Sequence, residues 1–140
     1  MKFSVRKLDK EEWSALLNDA HIITFGEYRN PTFDSSNYTL LVVDEKNTPA
    51  GWITCHEMDA ETVYWQHGGV FPDYRKSLYV LNGYSLCVAY ASERYKRITT
   101  RIEAKNFVML KLANEMDFEI RGSFHNGEKL FLELVLNFGG

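Results

Sequence analysis

With 140 residues, 45% of them hydrophobic and 14% aromatic, the chain has the size and apolar content of one domain with its own core. A formal net charge of −3 excludes a general attraction to nucleic-acid backbones. With no run of roughly 18 apolar residues and no long apolar stretch after Met1, the chain reads as a soluble, cytoplasmic protein without a membrane partner.

Phe3, Val5 and Leu8 alternate with charged residues and predict a first strand, after which Asp9 caps a helix through Glu11, Glu12, Trp13, Leu16 and Leu17. From Ile22 to Asn37 the periodicity decays around Gly26, Asn30 and Pro31, predicting a loop or broken helix suited to line a substrate mouth. Tyr38 to Val43 and Ala50 to Met58 are β-prone runs joined by the Asp44 to Pro49 turn, an antiparallel hairpin. Cys55 and Cys87 sit far apart in apolar segments and read as buried thiols rather than a disulfide, a zinc site or any other metal centre.

Thr62 to Phe71 forms a fourth strand, with Val63, Trp65, His67 and Gly69 on one face and Tyr64, Gln66, Gly68 and Val70 on the other. Gly68-Gly69 marks a bulge or splay. Leu78 to Tyr95 is a largely apolar helix, Ile98 to Glu103 a fifth strand, and Asn106 opens a helix that carries Val108, Met109, Leu112, Ala113 and Met116. Phe118 to Gly122 and a closing hairpin that turns at Asn126-Gly127 and ends in Leu130 to Phe138 complete the chain.

The segment Val70-Phe71-Pro72-Asp73-Tyr74-Arg75-Lys76-Ser77 carries a strand directly into a long helix. Such a junction points unpaired backbone N–H groups and the positive end of a helix dipole at one spot, which suits a phosphate. No glycine lies between Arg75 and Val80, although glycine usually permits the closest backbone approach to a diphosphate.

The element order β-α-β-β-β-α-β-α-β-β resembles the GCN5-related N-acetyltransferase (GNAT) superfamily over nearly the whole chain. Two motifs carry the resemblance: Val70-Phe71-Pro72-Asp73-Tyr74-Arg75, similar to the family's V-x-P-x-x-R segment, and Ile102-Glu103-Ala104-Lys105-Asn106 followed by Leu112 and Phe118. The resemblance implies an α/β (α+β) fold whose mixed, mostly antiparallel sheet splays between strands 4 and 5, residues 1–140 forming a single domain. It implies acetyl-CoA as co-substrate and, as acceptor, a primary amine of a small molecule or a protein, in a chain that dimerises as family members commonly do. The cofactor would be held by Val70 and by Arg75, Lys76, Ser77, Leu78, Tyr79 and Val80 at the helix head, with Asn106 beside its arm. The chain departs from the family's [RQ]-x-x-G-x-[GA] pattern at Leu78 and Val80. It also departs at Met109 (a small residue in the family), Ala113 (often a tyrosine acid) and Asp117 (a glycine). These departures, with a looser likeness to small virion proteins of short-tailed bacteriophages, keep a catalytically silent binding or structural module as the alternative.

His67 on the fourth strand is a candidate base, or a strand-end histidine held by hydrogen bonds. Glu57 is a second candidate, acting through a water, or a solvated surface carboxylate; His56 faces away from it. Arg75 and Lys76 either meet phosphate or stand in solvent, and Asn106 is at once a helix cap and a cofactor neighbour. Tyr64, Trp65, Trp52, Tyr28 and Phe33 form an acceptor pocket or belong to the core.

Overall fold

The computed structural model describes residues 2–14 and 37–139. In order these form β1 (Phe3–Asp9), α1 (Lys10–Ser14), β2 (Tyr38–Asp44), β3 (Pro49–Glu57), β4 (Thr62–Val70), a 3₁₀ turn (Pro72–Tyr74) and α2 (Ser77–Ser92). There follow β5 (Arg97–Glu103), α3 (Phe107–Glu115), β6 (Glu119–Asn126) and β7 (Lys129–Asn137). The predicted helix residues Leu16 and Leu17, and the irregular segment up to Ser36 with Tyr28 and Phe33, lie outside the described residues.

The strands make one seven-stranded sheet in the order β1-β2-β3-β4-β5-β7-β6. Only β4 and β5 run parallel, because α2 crosses between them; all other neighbours are antiparallel. Alternation along the strands gives each face its own core. Leu40, Val42, Ile53, Cys55, Val63 and Trp65 pack with Cys87 and Ala91 of α2 and Ala113 of α3. On the opposite face Leu8, Leu41, Val43 and Trp52 pack with Trp13 of α1, the two indoles 5.2 Å apart. Truncating either buried tryptophan to alanine would cost about 3–5 kcal/mol. Cys55 and Cys87 are buried free thiols, both pushed up by desolvation, Cys87 to about 12.

Local chemistry explains the element ends. Asp9 and Glu12 form a reciprocal capping box: Glu12 N–H donates to Asp9 Oδ1 at 2.8 Å and Asp9 N–H to Glu12 Oε1 at 3.3 Å. The last hairpin departs by one residue from expectation. Asn126 pairs with Lys129, so the two-residue loop is Gly127-Glu128, and only Gly127 has positive φ, 63°. A glycine in that conformation at the first loop position fits a type II′ turn, whereas Asn-Gly in the loop itself would have favoured type I′.

The bulge in β4 also lies elsewhere than the glycines suggest. Thr54 pairs with His67 and Cys55 with Trp65, which leaves Gln66 as the extra residue. Gly68 and Gly69 remain in register with Ile53 and Trp52. The inserted residue inverts the alternation, so His67 and Gly69 fall on the opposite face from Trp65 and Val63 rather than sharing it.

Candidate active site

The parallel ladder between β4 and β5 runs from Thr62 with Arg97 to Trp65 with Thr100 and stops. Beyond that point β4 continues against β3 as far as Val70, and β5 continues against β7 as far as Glu103. The two strands therefore part into a wedge. At its apex Thr100 Oγ1 donates to the Trp65 carbonyl at 3.1 Å, satisfying an acceptor where the ladder ends. The bulge at Gln66 sits one residue further on and turns β4 away from β5.

The wedge encloses a cleft of about 180 Å³, whose lining includes Gln66, His67 and Gly68 of β4, Arg101 and Glu103 of β5, Tyr84 of α2, and Asn106, Met109 and Ala113 around α3. His67 is thus in the cleft. Its backbone N–H donates to Thr54 Oγ1 at 3.0 Å, and its pairing with Thr54 directs its side chain to the face opposite α2 and α3. Glu57 is not in the cleft. β3 runs antiparallel to β4, so Glu57 near the end of β3 pairs with Val63 near the start of β4, at the closed end of the wedge. There its N–H donates to Asn37 Oδ1 at 2.6 Å and its carboxylate helps raise the Tyr95 phenol. Glu57 is therefore set away from the open end of the wedge. His56 pairs with Tyr64 and faces away from Glu57, as alternation requires.

The head of α2 opens onto a second, outer groove of about 620 Å³, lined by Arg75, Ser77, Leu78, Val80 and Leu81 and by Val108, Lys111, Leu112 and Glu115 of α3. Lys76 is the N-cap residue, extended at φ −69° and ψ 138°, and no side chain caps the helix. The first intrahelical bond is Val80 N–H to the Lys76 carbonyl at 3.0 Å. Helix geometry therefore leaves the N–H groups of Ser77, Leu78 and Tyr79 without an intrahelical acceptor. Leu78, whose bulk departs from a glycine pattern, is 66% exposed and lines the groove beside Ser77. Tyr79 turns the other way, its ring 5.7 Å from Phe3. Val80 and Val70 also line a small apolar pocket of about 30 Å³ between α2 and the sheet.

Arg75 Nε donates to the Val70 carbonyl at 2.9 Å, folding the turn back onto the end of β4. Asp44 holds the same turn from the other side: its carboxylate accepts from the backbone of Lys46 and Thr48, each at 2.9 Å, and from Tyr74 Oη at 2.7 Å. These bonds, led by Thr48, hold its carboxyl below the usual range. Asn106 caps α3 through Oδ1, which accepts from Met109 N–H at 3.2 Å, while the residue lines the cleft. Both of its expected roles are geometrically compatible.

Of the aromatic candidates, Trp52 is buried in the α1 core and Trp65 in the α2 core, although Trp65 also touches the cleft. Tyr64 alone among those described opens on the far face, in a pocket of about 300 Å³. Sequence reasoning missed Tyr84, Arg101 and Lys111. Tyr84 was hidden in a helix that reads as core throughout, yet its hydroxyl reaches the cleft, 3.9 Å from Met109 Sδ. Burial pushes the Tyr84 phenol up to about 12, so it stays protonated at physiological pH. No group of His, Cys, Asp or Glu among the described residues is arranged to hold a metal ion. No helix of the described residues is long and apolar enough to cross a membrane.

No family model matches the sequence, and no curated protein matches it. Solved structures do match over nearly the whole chain. The ribosomal-protein-S18-alanine N-acetyltransferase from Escherichia coli superposes with a TM-score of 0.80 at 11% identity, over 99% of this chain and 96% of that one. A GNAT-family acetyltransferase from Bacillus cereus gives 0.77 at 16% identity, over 98% of both chains. NAA60 of Arabidopsis thaliana in complex with acetyl-CoA gives 0.72 at 16% identity, over 97% of this chain and 99% of that one. The chain has the GNAT-like α/β fold: a mixed sheet with parallel central strands, flanked by helices.

Proposed function

We propose that this chain is an acetyl-CoA-dependent N-acetyltransferase acting on the primary amine of a small molecule or protein. The observation that carries this reading is the wedge, which opens where the β4 and β5 ladder stops at Trp65 and Thr100, together with the uncapped N–H groups at the head of the helix that follows β4. An extended amide chain suits the strand edge of Gln66 to Gly68, and a diphosphate suits the N–H groups of Ser77, Leu78 and Tyr79. Arg75, Lys76 and Lys111 add positive charge beside that head.

The thioester supplies an activated acyl group. The residues supply position and proton handling: the amine nitrogen attacks the carbonyl carbon, the C–N bond forms, the C–S bond breaks, and the thiolate leaves as free thiol once protonated. His67, on the face opposite α2 and α3, takes the proton that the attacking ammonium must lose. Orientation in the wedge supplies most of the remaining acceleration.

A melting curve with acetyl-CoA and a thiol-release assay with a panel of amines test this reading. A ligand at a hundredfold excess over its Kd stabilises the folded state by about 2.7 kcal/mol, which moves the midpoint by several degrees. His67→Gln should lower kcat by about a hundredfold with the cofactor-induced shift retained. No shift at millimolar acetyl-CoA and no thiol release would overturn it.

One observation favours a second reading, a silent GNAT-fold binding or structural module such as a virion component. Ala113, 2% exposed, and Met109 line the cleft where the resemblance places a tyrosine acid and a small residue. That module would show neither stabilisation nor turnover.

A further inference from the structure

On the face of the sheet opposite α2 and α3, a pocket of about 300 Å³ is lined by Met58, Tyr64, Thr99, Arg101, Glu133 and Val135, among others. Arg101 and Thr100 line both this pocket and the wedge, so the two cavities meet at the last rung of the β4 and β5 ladder. A molecule in the far pocket lies across the sheet from the wedge. His67 shares that face.

The arrangement around Arg101 is specific. Its guanidinium carbon stands 4.5 Å from the centroid of Phe124 and 5.7 Å from that of Tyr64, and Phe124 is itself stacked on Phe131 at 5.4 Å. Its Nη2 lies 3.3 Å from Glu133 Oε1, both side chains being about half exposed, 49% and 47%. An ion pair so exposed contributes little to folding, so stability does not account for it. Rings engage the faces of a guanidinium and leave its N–H edges for oxygen acceptors; Glu133 takes one edge, and the fork geometry suits a second carboxylate at another.

We propose that the acceptor is a small amine bearing its own carboxylate, an amino acid or close analogue, anchored by Arg101 through that carboxylate. This rests on the acetyltransferase reading above. A simple polyamine fits less well, since among the described residues Glu133 is the only carboxylate lining the pocket and is already paired with Arg101. The pocket's size is at the lower end for small-molecule sites, which favours a free amino acid over a protein segment.

The test compares amines in matched pairs, phenylalanine with phenethylamine and leucine with isopentylamine, by thiol release from acetyl-CoA. Melting curves with acetyl-CoA alone run alongside. The amino acid of each pair should be favoured at least tenfold in kcat/KM. Arg101→Gln should raise the KM of the amino acid about tenfold to a hundredfold more than it raises that of the decarboxylated amine. Arg101→Lys, which keeps the charge but loses the fork, covers the case in which Arg101→Gln does not fold, and should give an intermediate KM. Equal rates within each pair, or a substitution that slows both members alike, would overturn the carboxylate anchor and leave acetyl transfer standing. No turnover and no cofactor shift would overturn both.

Discussion

The helices that follow β4 and β5 begin in opposite ways. At the head of α3, Asn106 Oδ1 accepts from Met109 N–H, so one of the unpaired donors is already satisfied by the chain. At the head of α2 the N-cap residue is Lys76, which offers no acceptor and places a cation where a helix dipole disfavours one. Both heads adjoin cavities, Asn106 the wedge between β4 and β5, and Ser77 and Leu78 the outer groove between α2 and α3. A helix that closes its own N-terminus is more stable and binds less; one left open costs stability and suits an anion.

The largest effect is expected from closing α2 in the same manner as α3. Lys76 already has extended backbone angles, as an N-cap residue should. Lys76→Asp would place a carboxylate within reach of the Leu78 and Tyr79 donors, stabilise the protein without ligand by about 1 kcal/mol, and weaken acetyl-CoA binding by about a hundredfold. Opposite signs in the two measurements are the signature. A loss of both would mean that the variant had merely damaged the fold.

Ser77→Pro is the subtler test. Proline is tolerated at the first helical position, and Lys76 at ψ 138° already has the conformation that a following proline demands. The change removes one N–H and no intrahelical bond. Acetyl-CoA affinity, read by calorimetry, should fall by about tenfold, with the melting temperature of the free protein within a degree or two of the parent. Unchanged affinity would remove this N–H from the anion seat.

What the sequence made legible was local. The Val70 to Arg75 and Ile102 to Asn106 motifs, the Asp9 and Asn106 caps and the hairpin after β2 each depend on a few neighbouring residues. What escaped depends on partners distant in the chain. The bulge falls at Gln66 because Thr54 and Cys55 on β3 set the register, and no property of Gln66 announces it. His67 was therefore assigned to the wrong face. Glu57 looked close to the reacting centre because it precedes β4, but an antiparallel neighbour reaches the open end of β4 with its beginning, not its end. Tyr84, Arg101 and Lys111 gave no signal, since an apolar helix, an alternating strand and a charged helix face each have an ordinary structural reading.

At α3 the same comparison predicts effects on stability. Asn106→Ala should lower it by about 1 kcal/mol, measured as a shift in denaturant midpoint at constant slope, and Asn106→Asp should restore it, since either side chain can accept from Met109 N–H. Failure of the aspartate to restore stability would mean that the side-chain amide, rather than the cap, holds the helix in place.

The smallest effect concerns the other end of α3, which is also closed by the chain itself. Phe118 N–H donates to the Ala113 carbonyl at 3.0 Å and Asp117 N–H to that of Asn114 at 3.1 Å, with buried Phe118 sealing the turn. This is a Schellman arrangement, and it requires a left-handed residue at Asp117, whose φ is 69°. A glycine there would relieve the clash of an L-side chain in that region, worth about 1 kcal/mol, and lose part of that gain to greater freedom in the unfolded chain. Asp117→Gly should therefore stabilise by about 0.5 kcal/mol and leave acetyl-CoA affinity unchanged, because Asp117 lines neither cavity. A loss of stability instead would show that the aspartate is held by more than its backbone, and that α3 depends on its carboxylate.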